Sequence, residues 1–438
     1  MTSSVARDWS EWVRGRTAPA EAAAKPEALD HLRVLDLSRG HFGGLFCSSL
    51  LAEFGAEVIR LEPLEGDPAR RFSPEGLTIE GTGLAYLVEG RNKLSATCAL
   101  ERAEGRALFG RLVGRVDVVI ETCRPGQLDA WGVGYRQCSA EHPGLIWVAL
   151  ATHGQFGPRA RQPIPDYDVT NQALSGVVFA TGEMPSGEEP RPWEVPTKIG
   201  AWMGWYVAGA WAAFGALLAL RHRRRTGRGQ LVDVSGAEGL MRLCNYNLVW
   251  HAMYGKQLFR VGNVDLGIYP YGIVRTRDGY AFLAGFSDVN FRALCTIMER
   301  PELVTDPRFA TFLDRAKLEN MIPLKAEIET WSTRYTAAEI LAKVQAYRGA
   351  GVVATAKANT PGEVLAEAHW WERGALRVVE DPVYGRLLLQ ASPLHMTETP
   401  PRIRWACRPV GADSEFVYGK YLGLGREALA ELRDRGII

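Results

Sequence analysis

Short apolar runs alternate with helical segments between residues 32 and 151. The run 32–37 (LRVLDL) has the length and composition of a buried parallel strand. A glycine turn and a helix over residues 45–54 connect it to a second strand, 57–61, which makes a βαβ unit. The pattern repeats, with strands at 94–100, 116–121 and 145–151 and a helix at 103–113. The sequence therefore predicts an α/β fold with a doubly wound parallel sheet, which binds ligands beyond the carboxyl ends of its strands.

The pattern changes after about Met253. Alternating apolar residues over 269–285 are interrupted by Asp278-Gly279, a strong signal for a β-hairpin. Helical patterns follow near residues 290–299, 324–331 and 337–347. We therefore expect a second, smaller domain of α+β type.

The charges and cysteines exclude several classes of protein. With 51 Lys+Arg against 50 Asp+Glu, the chain lacks the positive excess of a nucleic-acid-binding protein. The seven cysteines are odd in number and scattered, and they form no CxxC, which argues against a disulfide framework and a metal site. Residues 1–26 contain no apolar run, so they predict neither a signal peptide nor an anchor. We expect a cytoplasmic protein.

Residues 199–220 carry no charge and are followed by Arg221, Arg223, Arg224 and Arg225. Length and flanking charges are those of a transmembrane helix. The same composition, rich in glycine and alanine, also suits a helix at the centre of a large core. We favour the buried helix, with the arginines at its C-terminal end, and expect no membrane partner.

The common catalytic motifs are missing. The turn RGHFGG (residues 39–44) lacks the spacing of a dinucleotide fingerprint, and there is no Walker A, HExxH or GxSxG motif. His41 on this turn and His153 after a predicted strand are candidates for a cleft, although a structural role suits each equally well.

Several segments, in order and at the usual spacing, resemble the family III (CaiB/BaiF-type) CoA-transferases. They are VLDLSRGHFGG…EVIRLEPLEGDPAR (34–70), GRNKLSATC…VVIETCRPGQLDAWGVGY (90–135), DYDVTNQALSG (166–176) and TGRGQLVDVS (226–235). DGYAFLAG (278–285) and the C-terminal segment 421–438 fit as well. The resemblance implies transfer of CoA from an acyl thioester to a carboxylic acid, with acyl-CoA as substrate and no covalently bound cofactor.

The resemblance also implies an architecture. After an N-terminal extension (1–27), a large Rossmann-like CoA-binding domain is expected from both chain ends (28–250 plus 380–438). A small domain with linkers (251–379) lies between them. Two subunits are expected to be threaded through each other as an interlocked, ring-like dimer.

By resemblance, contacts to CoA fall near Arg60, Asn92, Lys93 and the segment Thr122, Cys123 and Arg124. Cations and backbone donors suit the phosphates of this substrate. The family often has Glu-Asn-Phe where this chain has Glu121, Thr122 and Cys123. The contacts on the adenine side therefore differ from the usual pattern.

The family mechanism uses an aspartate that attacks the thioester, which is covalent catalysis by a carboxylate. Matching Ile199-Gly200 puts Ala201 in the place of this aspartate, and counting back from TGRGQ puts Trp205 there. Neither residue is a nucleophile, and residues 199–220 contain no carboxylate. Asp168, beside Tyr167, fits a position that often holds an assisting acid and is an alternative nucleophile.

Three explanations fit the missing aspartate. We favour a non-nucleophilic subunit of a heteromeric transferase, paired with a paralogue that carries the aspartate, as in transferases acting on succinate-like diacids such as benzylsuccinate. A second is a homodimeric transferase with an engineered aspartate-to-alanine change at Ala201. A third is racemisation or isomerisation of an acyl-CoA, with His153, Tyr167 or Asp168 as acid and base.

Two further expectations concern the kind of acid substrate and the possibility that the protein binds CoA without being an enzyme. Trp202, Trp205, Tyr206 and Trp211 cluster in the apolar segment, which suits a bulky or aromatic acid, although core packing explains them equally well. A non-enzymatic CoA-binding protein is the rival from another class of function.

Overall fold

The computed structural model describes residues 3–162, 166–184, 191, 194–244 and 246–438. The strands are β1 (Arg33–Leu37), β2 (Glu57–Glu62), β3 (Thr78–Ile79), β4 (Thr82–Gly83), β5 (Lys93–Thr97), β6 (Val118–Glu121), β7 (Ile146–Ala151), β8 (Leu231–Ser235), β9 (Tyr271–Thr276), β10 (Gly279–Ala284), β11 (Ala354–Lys357), β12 (Leu376–Asp381) and β13 (Gly385–Gln390).

The helices are α1 (Ser3–Thr17), α2 (Pro19–Ala22), α3 (Phe42–Glu53), α4 (Leu84–Glu89), α5 (Ala103–Val113), α6 (Gln127–Ala130), α7 (Tyr135–Glu141), α8 (Asp168–Leu174), α9 (Val177–Ala180), α10 (Met203–Thr226), α11 (Gly236–Met241), α12 (Asn247–Tyr254), α13 (Asp288–Ile297), α14 (Phe312–Arg315), α15 (Leu318–Ser332), α16 (Ala337–Ala346), α17 (Pro361–Ala366), α18 (Ala368–Glu372), α19 (Ser414–Leu422) and α20 (Arg426–Asp434). Short 3₁₀ helices lie at Pro68–Arg71, Pro74–Gly76 and Pro301–Val304.

The chain divides into two compact units. The first comprises Met1–Val177, Lys198–Tyr246 and Ala368–Ile438, and the second comprises Val178–Thr197 and Asn247–Glu367. The segment predicted as an N-terminal extension therefore lies in the first unit. So do residues 368–379, which the predicted limits assigned to the small domain.

The first unit is built on a six-stranded sheet in the order β5-β2-β1-β6-β7-β8, with neighbouring strands parallel. This confirms the predicted α/β fold with a doubly wound parallel sheet. Side chains of β1 enter a core on each face: Leu35 packs with α5 and α19, and Val34 packs with α3 and α10. The apolar runs are continuous because a parallel strand is buried on both faces.

Helix α10 begins at Met203, ends before Gly227 and includes the three arginines 223–225 in its last turn. By length and composition it is the one helix in the described residues that is able to cross a membrane, but half of its apolar stretch is buried in the protein. It lies so close to α3 that a Cβ on Gly209 would stand 2.4 Å from the Gly43 carbonyl oxygen. Two glycines therefore permit this helix contact, as expected of a core helix.

The second unit contains an antiparallel sheet in the order β11-β10-β9. The hairpin of β9 and β10 is present as predicted, but its turn is Arg277-Asp278, one residue before the predicted Asp278-Gly279, because Gly279 already pairs with Thr276. Phe291 and Leu294 of α13 pack with Leu324 and Trp331 of α15 to form its core.

Candidate active site

A cavity of about 760 Å³ opens at the carboxyl ends of β1, β2, β5 and β6. This sheet-end cavity lies where a doubly wound sheet is expected to bind a ligand. The residues that line it are Leu37, Ser38, Arg39, Leu61, Glu62, Pro63, Cys98, Leu100, Glu101, Thr122, Cys123, Arg124, Pro125, Gly126, Gln127, Ala130 and Trp131.

Three predicted binding residues, Thr122, Cys123 and Arg124, line this cavity. The Thr122 hydroxyl accepts a hydrogen bond from the backbone N–H of Arg39 at 3.0 Å, which ties two of the loops together. Arg124 is exposed and has no ion pair among the residues that the structure describes. A guanidinium at an open cavity is suited to hold a phosphate or carboxylate.

Glu121 lies beneath the cavity and ends β6. Its carboxylate accepts a hydrogen bond from the backbone N–H of Cys123 at 2.6 Å. Burial raises the pKa of Glu121 to about 7, against the hydrogen bonds, which lower it. Burial likewise raises the pKa of the Cys123 thiol, and Glu121 adds to that rise. Cys123 is therefore a protonated thiol in the cavity wall, which makes it a poor nucleophile.

The other predicted binding residues, Arg60, Asn92 and Lys93, are buried and do not line the cavity. Arg60 forms ion pairs with Asp36, at 3.2 Å, and with Asp67. Their role in binding stays a prediction, and the contacts they make are those of residues that stabilise the fold.

Lys93 and Asn92 are held by backbone carbonyls. Lys93 Nζ donates to the carbonyl oxygen of Leu45 at 2.7 Å, and Asn92 Nδ2 donates to that of Arg402 at 2.7 Å. Burial lowers the pKa of Lys93 to about 8, although the nearby Asp36 opposes this shift.

The segment before α10, here called the 198–202 loop, contains the position at which the catalytic aspartate is expected. Ala201 is exposed, and Trp205, the other candidate position, is buried in the first turn of α10. Neither has a group that ionises in the pH range of catalysis. Neither position therefore supplies a carboxylate.

Asp168 is close to this loop but is fully engaged. Its Oδ1 accepts from the backbone N–H of Trp205 at 3.0 Å, and its Oδ2 accepts from Gln172 Nε2 at 2.6 Å. The side-chain carbonyl oxygen of Gln172, Oε1, accepts in turn from the backbone N–H of Ile199 at 2.8 Å. Burial raises the pKa of Asp168 against these hydrogen bonds. Asp168 thus caps α10 from another helix, a stabilising role that uses both carboxylate oxygens.

The neighbour Tyr167 is half exposed. It is the N-cap residue of α8 and makes no side-chain capping bond. No contact connects its hydroxyl to Asp168 in the described part of the chain, so these two candidates are neighbours only in sequence.

His41 caps α3. Its Nδ1 accepts from the backbone N–H of Gly44 at 3.1 Å, so the ring proton lies on Nε2, which contacts Asp166 Oδ2 at 3.1 Å. Asp166 also accepts from Asn171 Nδ2 at 3.0 Å. Both ring nitrogens are therefore used within the protein. The pairing of Asp166 with His41 depends on a tertiary contact, so local sequence does not reveal it.

Aromatic rings surround the start of α10. Phe42 and Trp202 lie 4.4 Å apart between ring centroids, and Trp202 and Trp205 lie 5.8 Å apart. Phe72 and His41 complete this aromatic cluster. Of the four aromatic residues singled out in the sequence, Trp202 and Trp205 belong to this cluster, whereas Tyr206 contacts Phe46 and Trp211 contacts Phe214.

In the described residues, no group of three or more His, Cys, Asp or Glu side chains is arranged to hold a metal ion. The cysteines are free thiols.

Residues 29–414 match the family model described as CoA-transferase family III. The succinyl-CoA–D-citramalate CoA-transferase of Chloroflexus aurantiacus is 36% identical over 94% of this chain and 98% of its own length. The alpha subunit of that organism's succinyl-CoA–L-malate CoA-transferase is 32% identical (94% and 92%), and the beta subunit is 30% identical (93% and 97%). The crystal structure of a CAIB/BAIF family protein from Brucella suis superposes with a TM-score of 0.77 at 27% identity, over 91% of this chain and all of the other.

Proposed function

The chain belongs to CoA-transferase family III, and from this premise we propose that it is the non-nucleophilic subunit of a heteromeric CoA-transferase. The complex transfers CoA from a succinyl-CoA-like thioester to a second carboxylic acid. The acid's carboxylate becomes the new thioester, and the first acyl group leaves as its free carboxylate. The exchange is balanced without an oxidant or reductant.

The absence of a carboxylate at Ala201 carries this proposal. The transfer requires an oxygen nucleophile that accepts the acyl group and then the CoA thiolate. Asp168 is the nearest predicted alternative, but both of its oxygens accept a hydrogen bond, from the α10 backbone and from Gln172, which holds the side chain in place and makes it a weaker nucleophile. The nucleophile therefore comes from a partner chain.

A paralogous subunit is the partner that fits best. A related transferase, the L-malate enzyme of Chloroflexus aurantiacus, has alpha and beta subunits, and both are similar to this chain over nearly its whole length. Within the first unit, α10 exposes Trp211, Phe214, Leu217 and Leu218. Within the second unit, α12 has no buried residue. Large apolar side chains exposed together are typical of a surface that another subunit covers. An interlocked dimer would bury the exposed side chains of both α10 and α12.

The sheet-end cavity is proposed to hold the CoA portion of the substrate. Thr122, Cys123 and Arg124 line it, and Arg39 provides a second cation in the wall. The acyl end is proposed to lie by the aromatic cluster, whose rings suit a bulky or aromatic acid because they offer broad apolar faces. We place the protein in the cytoplasm, where acyl-CoA substrates are available, and expect no covalent cofactor.

The first test is native mass spectrometry of the untagged protein purified from its source cells, with peptide identification of whatever accompanies it. We expect a stoichiometric partner of similar mass that carries the family aspartate. A homodimer with full activity would contradict the proposal and would favour a nucleophile within this chain.

The second test restores the carboxylate. Ala201→Asp in this chain alone is expected to convert a protein without measurable CoA transfer into one with transfer from succinyl-CoA to an acid acceptor. Trp205→Asp is the comparison variant, because it places the same group at the other candidate position, in the first turn of α10. A gain with Trp205→Asp and none with Ala201→Asp would show that the nucleophile position has been assigned wrongly.

A further inference from the structure

A separate cavity of about 280 Å³ lies between α3, α4, the start of α10 and the end of β13. Its lining residues are Phe46, Ser49, Leu50, Glu53, Val88, Glu89, Arg91, Tyr206, Gln390, Ala391, Ser392 and Pro393. None of them lines the sheet-end cavity. We call it the α3–α4 cavity.

Charged side chains in the wall of this cavity are almost completely buried. Glu53 and Glu89 are each 4% exposed, and Arg91 is 3% exposed. Arg91 is committed to its own partners, since it donates to Glu53 Oε1 at 2.7 Å and to the carbonyl oxygens of Val88 and Gln390. The lining therefore has two carboxylates and a single guanidinium that is already used.

Glu89 is under-satisfied for a buried carboxylate. Its one hydrogen bond within the described part of the chain comes from the Tyr206 hydroxyl, at 3.2 Å. A carboxylate has about four acceptor positions, so Glu89 keeps acceptor capacity toward the cavity that it lines. Burial raises the pKa of the neighbouring Glu53, and Glu89 adds to that rise although Arg91 opposes it. The Lys93 ammonium does not satisfy Glu89. Glu89 raises the pKa of Lys93, but Lys93 donates to the carbonyl oxygen of Leu45 and lies near Asp36.

A second polar group in the same wall has spare capacity. Ser49 is 2% exposed, and its hydroxyl makes no hydrogen bond to any residue that the structure describes. The wall also contains the apolar side chains of Phe46, Leu50, Val88 and Pro393. The Phe46 and Tyr206 rings meet edge to face at 4.9 Å. The cavity lining thus combines hydrogen-bond acceptors with carbon surface.

We propose that the α3–α4 cavity is a binding site for a small primary amine with an apolar tail. The ammonium group donates to the Glu89 carboxylate and the Ser49 hydroxyl, and the tail packs against Phe46, Leu50 and Val88. An ammonium suits this lining because it combines a positive charge with three N–H donors. The proposal does not depend on the transferase role, because none of these residues belongs to the sheet-end cavity or the 198–202 loop.

The test is isothermal titration calorimetry of the purified full chain with n-butylammonium as the probe. Butan-1-ol is the neutral comparator, and tetramethylammonium is the cation without N–H donors. We expect saturable binding of n-butylammonium that is at least about tenfold tighter than binding of either comparator, since charge-assisted hydrogen bonds carry the difference. Equal affinity for all three probes, or no binding of n-butylammonium, would overturn the proposal.

Variants locate the binding. Glu89→Gln keeps an acceptor for Tyr206 but removes the charge, and it is expected to weaken n-butylammonium binding at least about tenfold. Ser49→Ala is expected to weaken it a few-fold and keeps the test valid if Glu89→Gln does not fold. Glu57→Gln is the matched control, because Glu57 pairs with Lys420 at 2.8 Å away from this cavity. Affinity that is unchanged in both Glu89→Gln and Ser49→Ala would place the amine elsewhere and refute the site.

Discussion

The sheet-end cavity and the 198–202 loop use their polar side chains in opposite ways. In the cavity, Arg124 stands at an open surface and is free to meet a ligand. At the loop, Asp168 and Gln172 are bound to backbone groups, and Ala201 contributes only a methyl group. On the proposed function, this chain provides the surface that holds the substrate, and the partner subunit provides the group that performs the chemistry.

The buried ion pairs beside the cavity give the largest expected effect. Arg60→Ala leaves Asp36 and Asp67 buried without their shared cation, which is expected to cost about 3–5 kcal/mol of unfolding free energy. Urea unfolding measures the loss. Arg124→Ala, in the same region but exposed, is the control and is expected to change stability by less than about 0.5 kcal/mol. Normal stability in Arg60→Ala together with a raised KM for acyl-CoA would instead make Arg60 a ligand-binding residue.

Glu121 makes the stability of the cavity region depend on pH. Its pKa is about 7 in the folded protein against an ordinary value of 4.5. Between these two values the folded protein holds a proton that the unfolded chain has released, so stability falls as the pH rises through this window. The full effect is up to about 3 kcal/mol. In Glu121→Gln, the unfolding free energy is expected to change less between about pH 5 and about pH 8 than it does in the wild type. The same pH slope in wild type and variant would assign it to another group.

The cap on α10 tests the loop side of the comparison. Asp168→Ala removes the acceptor for the Trp205 N–H and releases Gln172, with an expected loss of about 1–3 kcal/mol in unfolding free energy. Thermal unfolding measures it, and Tyr167→Phe, at the exposed neighbour, is the control without a loss. If Asp168→Ala were stable and yet abolished turnover of the complex, Asp168 would be a catalytic group.

Arg124 gives the smallest expected effect and the most specific one. Arg124→Ala is expected to raise the KM for acyl-CoA about tenfold, equivalent to about 1.4 kcal/mol, with kcat unchanged. The reason is that the variant loses a charge-assisted hydrogen bond from Arg124 to a phosphate of CoA. This bond is equally strong in the ground state and the transition state. Steady-state kinetics of the complex measure the split. A fall in kcat at constant KM would show that Arg124 acts on the reacting atoms.

Much of the fold follows from the sequence because parallel strands are short apolar runs. The helix at Ala103–Val113 and the strand ending at Ala151 lie where the pattern predicts them. The start of α10 does not, since the predicted helix begins at Ile199 and the observed one at Met203. Hydrogen bonds donated by the Ile199 N–H to the Gln172 side chain and by the Trp205 N–H to Asp168 set that boundary. Such contacts join residues far apart in sequence, and local pattern cannot reveal them.

The site was predictable to a different degree. The resemblance points to both Arg60 and Arg124, but only Arg124 reaches the cavity. Arg60 on β2 lies opposite Asp36 on β1. Because of this strand register, the Arg60 guanidinium pairs with Asp36 inside the protein and is not available to a ligand. The lack of a carboxylate near Ala201 is visible in the sequence alone. That Asp168 is already engaged as a cap is visible only in three dimensions.

The most direct test of the account is intact-protein mass spectrometry of the assembled complex after brief incubation with succinyl-CoA. The account predicts that a covalent succinyl or CoA adduct appears on the partner subunit and that this chain keeps its unmodified mass. An adduct on this chain, mapped by peptide sequencing to Asp168 or to any other carboxylate, would contradict the claim that it is the non-nucleophilic subunit.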